Sequence, residues 1–246
     1  MKLHWVLLSL FSFNCAAALE AIQTTGTMRV DGVAKEVDWQ AARWYPMDKL
    51  MVGDMPTQQD FHGRFKVMWD ERQLYLLAEI TDDILFDQYA NPLERYWDDD
   101  CLEIFIDENN SGGNHQFNFN AFAYHVALDN QVVDIGPNKP NGETNFILLN
   151  DHVTSRWQRQ KEAPYVVTWE LSIRAYPDSF ALEKAKLIQP VQLSMDKRMG
   201  FMLAYCDNDG SPTRESFMGS TKIEPRNGSK NLGYITSDVF DTLILK

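Results

Sequence analysis

The sequence is poor in cysteine and in positive charge. Its 246 residues include only three cysteines, and no cysteine–histidine cluster has the spacing of a zinc site. Lysine and arginine together number 23 against 35 aspartates and glutamates, so the formal net charge is -12. A surface this acidic argues against nucleic acids and anionic membranes as partners, because both are themselves negatively charged. No apolar run reaches the roughly 20 residues of a membrane-spanning helix, so no membrane span is predicted.

Motifs for catalysis are also missing. The sequence has no serine-centred nucleophile elbow and no glycine-rich phosphate loop. Acidic residues are abundant, but no spacing singles out two that would flank a substrate as general acid and base. The sequence therefore predicts a protein that is not an enzyme.

The first 18 residues have the pattern of an export signal. Lys2 supplies a positive start, residues 5–13 are apolar, and three alanines at 16–18 offer a small-residue cleavage site. We expect cleavage after Ala18, a secreted or periplasmic protein, and a single domain over residues 19–246.

Alternating apolar and polar residues indicate many short strands. The strongest signal is a hairpin in which Phe61 to Trp69 and Leu74 to Ile80 flank a short polar turn. Further strands are predicted at 27–32, 115–129, 165–173, 200–205 and 242–245, and short helices at 36–42 and from 178 or 179 to about 187. Such a series predicts an all-β fold, an antiparallel β-sandwich of immunoglobulin-like or jelly-roll-like type with one or two short helices.

The most informative stretch is residues 96–110, an acidic run that leads into a strand. One face of that strand is apolar: Leu102, Ile104 and Ile106. The opposite face carries Cys101, Glu103, Phe105 and Asp107, because side chains alternate along a strand. The sequence leaves open whether Glu103 is solvated or placed for a ligand. It also leaves open whether Cys101 pairs with Cys206 as a cross-strand disulfide or both stay as buried thiols.

The hairpin, this stretch and the later strands together resemble the family 9 carbohydrate-binding modules. The matching segments are Phe65 to Asp70, Leu74 to Asp82, Trp97 to Asn110, Tyr165 to Val167, Gly200-Phe201, and Asp31-Gly32 with Trp39. The resemblance implies a secreted β-sandwich that binds an oligo- or polysaccharide and often holds structural Ca²⁺. It also implies a role in polysaccharide breakdown beside glycoside hydrolases that act on the same glycan.

The resemblance further implies a sugar site. Trp97 matches the first of two tryptophans that clamp a sugar in that family, and Glu103 matches the carboxylate of the pocket. An indole face packs on the apolar face of a pyranose, while a carboxylate accepts hydrogen bonds from hydroxyls. Gln116 and Asn118 complete the predicted ligand-binding residues, and exposed strand residues are the alternative for both. Asn118 stands where the family has an arginine, and residues 225–231 contain no second tryptophan.

Two other functions remain open from the sequence. Related β-sandwiches bind haem and carry electrons, as in the cytochrome domain of cellobiose dehydrogenase, and His115, His125 and several methionines are available as ligands. The other alternative is a secreted interaction module that has lost sugar binding. Candidate calcium ligands occur in four acidic clusters, each of which can instead be a solvated turn: 82–83, 98–100, 107–109 and 207–210.

Overall fold

The computed structural model describes residues 18–246, and nearly all of its regular structure is β-strand. The predicted export signal lies outside the described residues except for Ala18. The strands are β1 (Leu19–Gln23), β2 (Tyr45–Met47), β3 (Lys49–Gly53), β4 (Phe61–Trp69), β5 (Leu74–Asp82), β6 (Cys101–Asp107), β7 (Phe122–Ala127), β8 (Val132–Gly136), β9 (Asn145–Leu148), β10 (Val153–Arg159), β11 (Val166–Ile173), β12 (Arg198–Asp207), β13 (Ser216–Gly219) and β14 (Asp241–Leu245). No helix within 18–246 is long and apolar enough to cross a membrane.

Strand β1 joins two halves of the sheet. Its first part, Leu19 to Ala21, pairs in parallel with β14, and Ile22 and Gln23 pair in parallel with β4. One half has the order β10-β11-β5-β4, and the other has the order β14-β12-β6-β7-β8-β9. Strands β13 and β3 extend the second half from β12, and β2 pairs with β4. The predicted all-β sandwich is confirmed, and the two parallel pairs of β1 make its sheet mixed.

The main core lies between these two halves. The hairpin of β4 and β5 contributes Trp69, which is 1% exposed, and β11 contributes Trp169, which is fully buried. Leu102, Ile104 and Ile106 of β6 enter the same core, as the alternation predicts. Cys101, Phe105 and Cys206 lie in a second apolar cluster on the opposite face of β6 and β12.

Two predicted strands are wrong or too long. Residues 27–32 form no strand, because the backbone N–H groups of Asp31 and Gly32 donate to Glu170 Oε2 at 3.2 and 2.9 Å. The strand predicted over 115–129 begins only at Phe122. Before it, the chain turns and His115 N donates to the carbonyl oxygen of Ile235 at 2.9 Å.

The predicted short helices are 3₁₀ turns. One spans Val37–Gln40 and buries Trp39, whose Nε1 donates to Glu170 Oε1 at 3.2 Å. The helix predicted from 178 or 179 to about 187 is reduced to Leu182–Lys184, a segment with no buried residue. Without an apolar face to bury, a longer helix there gains nothing from packing.

Candidate functional site

A pocket of about 310 Å³ opens on the face of β6 that turns away from the main core. Its aromatic lining comes from Tyr96, Trp97, Phe117, Phe146 and Tyr234. Its charged and titratable lining comes from Glu103, His125, Asp134 and Arg214. Among the predicted site residues, Trp97, Glu103 and Gln116 therefore meet in one pocket, and Asn118 does not.

Glu103 lies at the centre of the pocket floor. Register pairing places it opposite His125 on β7, and Glu103 Oε1 lies 3.2 Å from His125 Nδ1. The Cys206 thiol donates to the same oxygen at 3.3 Å, and Arg214 Nη1 lies 3.6 Å away. Burial by itself would raise the pKa of Glu103, but the contacts with His125, Arg214 and Cys206 outweigh burial and hold the pKa below its usual value. Glu103 is therefore an ionised acceptor at neutral pH.

The two oxygens of the Glu103 carboxylate have different surroundings. The shortest contact from each of its three partners goes to Oε1. Among residues 18–246, no hydrogen bond to Oε2 is found, and Oε2 is not one of the buried unpaired atoms. The inner oxygen thus holds the floor together, and the outer oxygen faces the pocket as a free acceptor.

Trp97 is half-buried and supported from behind by other aromatic rings. It lies in a 3₁₀ turn, Tyr96–Asp98, just before β6. The ring centroids of Tyr96 and Phe146 lie 5.0 and 5.8 Å from that of Trp97. Tyr96 in turn packs edge-on against His125 at 4.4 Å. This packing restrains the indole at the pocket, as a stacking surface requires.

Arg214 is a pocket residue that sequence reasoning missed. It follows β12 in a loop that is tied to the Trp97 turn, because Arg214 N donates to Asp98 Oδ1 at 3.1 Å and Asn208 Nδ2 donates to the Asp98 carbonyl at 2.6 Å. Its guanidinium carbon lies 4.3 Å from the centroid of the Phe217 ring. The resemblance aligned the family arginine with Asn118, and no local pattern marks Arg214 as its substitute.

Asn118 lies on the surface outside the pocket. Its Nδ2 donates to the Asn114 carbonyl at 3.2 Å, and its Oδ1 accepts from Asn120 N at 2.8 Å, so the side chain stabilises its own turn. Gln116 and Asn118 do not lie on the strand predicted over 115–129, because residues 115–121 form no strand.

Tyr234 supplies an aromatic ring from the segment just beyond residues 225–231. His115 fixes that segment, because His115 Nε2 lies 2.8 Å from the Gly233 carbonyl oxygen. A side chain at Gly233 would collide with the Phe105 ring, since a Cβ there would lie 2.8 Å from it. Close packing of the chain at Gly233 therefore places Tyr234 at the pocket.

The two histidines considered as haem ligands do not meet in one cavity. His125 lines the pocket and its Nε2 lies 2.7 Å from the Tyr96 carbonyl oxygen. His115 is buried behind the Gly233 segment, and burial lowers its pKa to about 4. His115 and His125 therefore do not converge as a pair of haem ligands.

A second site brings together three acidic segments that are far apart in sequence. The carboxylate oxygens of Asp82, Asp100 and Asp207 lie within 4.8 Å of one another, and Asp82 and Asp207 also belong to groups that include Asp209. Tyr205 donates to Asp82 Oδ2 at 2.6 Å, and Ser216 donates to Asp207 Oδ2 at 3.0 Å. One oxygen of Asp82 and one of Asp207 are thus satisfied by the protein, and both oxygens of Asp100 accept backbone N–H groups, from Phe86 at 2.6 Å and from Asn208 at 2.8 Å.

Three oxygens of this acidic cluster have no partner. Asp82 Oδ1, Asp207 Oδ1 and Asp209 Oδ1 are buried without a hydrogen bond among the described residues. Burial and the neighbouring carboxylates raise the pKa of Asp82 to about 6 and that of Asp207 to about 7. Converging buried oxygens with no donor fit a hard cation, and carboxylates are the ligands that Ca²⁺ prefers. Two of the four acidic segments considered from the sequence, 98–100 and 207–210, thus join 82–83 here, and 107–109 is not part of the cluster.

A family of known proteins and two enzymes contain sequences similar to this chain. The family model described as carbohydrate family 9 binding domain-like matches residues 30–246. The chain is 33% identical over 85 residues to endo-1,4-β-xylanase A of Thermotoga neapolitana, a match that covers 35% of this chain and 7% of the enzyme. It is 35% identical over 118 residues to exoglucanase XynX of Acetivibrio thermocellus, covering 48% of this chain and 10% of the enzyme. The matched part is thus a small segment of each enzyme.

Solved structures match over almost the whole chain. A family 9 carbohydrate-binding module of Caldicellulosiruptor kristjanssonii in complex with cellotriose has a TM-score of 0.63 and 18% identity, covering 93% of each chain. A family 9 module of the same organism in complex with glucose has a TM-score of 0.63 and 19% identity, covering 92% of this chain and 95% of the other. At these identities the likeness establishes a shared fold.

Proposed function

This chain belongs to the carbohydrate family 9 binding domain-like family, and we propose that its pocket binds a saccharide of the glucose or cello-oligosaccharide type. Trp97 is the stacking surface, and Glu103 Oε2 accepts hydrogen bonds from sugar hydroxyls. The observation that carries the proposal is the difference between the two carboxylate oxygens of Glu103. Three protein groups contact Oε1, and Oε2 is left to the pocket.

The rest of the pocket supports this assignment. A sugar ring has an apolar face and a polar rim, and the pocket offers an aromatic wall beside a charged floor. Arg214 and Gln116 add donors near the Glu103 carboxylate. Tyr234 takes the part that the second tryptophan has in the resemblance.

The cellular role follows from the relatives and from the first 18 residues. We infer an exported protein that acts beside glycoside hydrolases, because two polysaccharide-degrading enzymes contain segments similar to this chain. The chain itself contributes binding to the glycan, since the family model that it matches describes a binding domain.

Calorimetry with glucose and cellotriose tests the sugar site. We expect dissociation constants in the micromolar to millimolar range, about -8 to -4 kcal/mol. Trp97→Ala should weaken binding by about fivefold or more, because stacking of an aromatic ring contributes about 1 kcal/mol or more. Trp44→Ala is the matched control, since Trp44 is also half-buried but packs on Arg64 at 4.1 Å, outside the pocket. Unchanged binding in Trp97→Ala would remove that residue from the site.

A glycan array separates this function from the remaining alternative. Binding to glucose-containing glycans supports the proposal. If no glycan binds, the pocket is not a sugar site and the interaction-module alternative replaces it.

We further propose that the acidic cluster binds Ca²⁺. Asp82, Asp100, Asp207 and Asp209 would hold the ion, and it would neutralise carboxylates that otherwise repel one another. Thermal unfolding in calcium and in a chelator tests this: added calcium should raise the unfolding temperature. Equal unfolding temperatures in both would exclude the site, and sugar affinity is measured separately.

A further inference from the structure

Two cysteines lie directly beneath the sugar pocket, and sugar binding leaves them without a role. Cys101 on β6 and Cys206 on β12 are register partners, and both are fully buried free thiols. Glu103 lies two residues along β6 on the same face, and His125 is its register partner on β7. Four side chains with metal-ligating atoms therefore share one face of three adjacent strands.

The distances among the ligand atoms of Cys101, Glu103 and Cys206 approach those around a tetrahedral zinc ion, and the His125 ring would shift to complete the set of four. With Zn–S bonds of about 2.3 Å and Zn–N or Zn–O bonds of about 2.0–2.1 Å, ligand atoms lie about 3.3–3.8 Å apart. Glu103 Oε1 lies 3.2 Å from His125 Nδ1 and 3.3 Å from Cys206 Sγ. Cys101 Sγ lies 3.9 Å from His125 Nδ1, and the ligand atoms of Cys101, Glu103 and Cys206 all lie within 4.8 Å of one another.

The orientation of His125 also points to a cation. Its Nε2 is 2.7 Å from the Tyr96 carbonyl oxygen, which only accepts, so Nε2 carries a proton. Nδ1 faces Glu103 Oε1, and this nitrogen can hold either a second proton, which makes the contact an ion pair, or, through its lone pair in the neutral ring, a metal ion. Two acceptors in contact require a proton or a metal ion between them. A backbone carbonyl on the outer nitrogen is the arrangement that orients metal-binding histidines in proteins.

Charge balance favours the metal. A divalent ion with two thiolates, one carboxylate and a neutral imidazole carries a net charge of about -1. Arg214 supplies the compensating positive charge, because its Nη1 donates to Cys206 Sγ at 3.1 Å and lies 3.6 Å from Glu103 Oε1. The loaded cluster is therefore neutral, as a buried site requires.

We propose that Cys101, Cys206, Glu103 and His125 form a binding site for Zn²⁺ or a similar thiolate-preferring divalent ion beneath the pocket. The site differs in chemistry from the acidic cluster, which offers only oxygen and suits Ca²⁺. The ion would take Glu103 Oε1 and leave Oε2 for the saccharide. It would thereby fix the carboxylate in the orientation that sugar binding uses.

The test uses the full chain, reduced, freed of metal, and kept in excess calcium so that the acidic cluster is filled. We expect one equivalent of Zn²⁺ to bind with submicromolar affinity. Titration with Co²⁺ should give thiolate-to-metal charge-transfer absorption together with tetrahedral d–d bands. Because the Co²⁺ spectrum is read on the unaltered protein, the proposal remains testable if a cysteine variant fails to fold.

Single substitutions identify which residues bind the zinc ion. Cys206→Ser should weaken zinc binding by about a hundredfold or more, because loss of a direct ligand should cost at least as much as loss of a residue behind a ligand, which costs about 10–100-fold. Asp209→Asn, a control in the acidic cluster, should leave zinc affinity unchanged. Reduced protein that takes up no zinc, a Co²⁺ spectrum without thiolate bands, or equal affinity in Cys206→Ser would overturn the proposal. Isolation of the native protein with a Cys101–Cys206 disulfide would also overturn it.

Discussion

Asp134 provides a quantitative test of the pocket electrostatics. This residue of β8 is 4% exposed and lines the pocket. Its Oδ1 accepts from Ile135 N at 2.7 Å, and its Oδ2 accepts from Ala123 N at 3.1 Å. Burial outweighs these two donors and raises the pKa of Asp134 from 3.8 to about 7. The perturbation is Asp134→Asn, which keeps the shape and removes the titration.

The sign of the effect follows from proton binding. Between about pH 4 and pH 7 the folded chain holds a proton on Asp134 that the unfolded chain has lost. Stability therefore decreases as pH rises through this range and levels off above about pH 8. A pKa difference of about three pH units corresponds to about 4 kcal/mol. Asp134→Asn should lose this part of the pH dependence.

Urea unfolding at several pH values between 4.5 and 8.5 measures the effect. The asparagine amide is a poor partner for one of the two backbone N–H groups, so a constant destabilisation is expected at every pH. The test is therefore the change of the free energy of unfolding with pH. From low to high pH, the free energy of unfolding of the variant should rise by about 3 to 4 kcal/mol relative to that of the unaltered protein. Asp151→Asn, at an exposed position, is the control. Parallel pH profiles for the unaltered protein and Asp134→Asn would refute the assignment of this burial effect.

Three further outcomes follow from the same structure. Calcium at a hundred times its dissociation constant should stabilise the protein by about 2.7 kcal/mol, which raises the unfolding temperature in calorimetry by roughly 5–10 °C. Asp207→Asn should reduce this rise in unfolding temperature, and an undiminished rise would exclude Asp207 as a ligand. Arg214→Gln leaves Glu103 buried without its cation, so urea unfolding should show a loss of about 3 kcal/mol, and a loss under 1 kcal/mol would contradict the ion pair. Gly233→Ala places a Cβ 2.8 Å from the Phe105 ring, so it should cost about 1–3 kcal/mol in the same assay, and a neutral effect would show that the segment can move.

The strands could be predicted from sequence because their signal is local. Leu102, Ile104 and Ile106 stand at every second position, and the side chains of a strand must alternate between faces. The same holds for the hairpin of β4 and β5, where a polar turn separates two alternating runs. The placement of Trp97 and Glu103 in one pocket followed from their closeness in the chain and from a resemblance to known modules.

Alternation of side chains gave a wrong prediction where the backbone does not form the hydrogen bonds of a sheet. Residues 115–121 alternate like a strand, but His115 bonds to Ile235 and the following residues turn. Asn118 was therefore predicted in the pocket and lies outside it. A pattern of side chains does not state which partner the backbone will choose.

The residues that complete both sites come from distant parts of the chain. Arg214 reaches Glu103 from the loop after β12, and Asp207 reaches Asp82 and Asp100 across the sheet. The sequence by itself determined strands β4, β5, β6, β11, β12 and β14, the buried faces of the hairpin and of β6, and the family. Only the tertiary structure decided the pocket floor, the acidic cluster and the four groups of the proposed zinc site. Sheet pairing brings these side chains together over separations of up to about 125 residues, and no local period encodes such pairings.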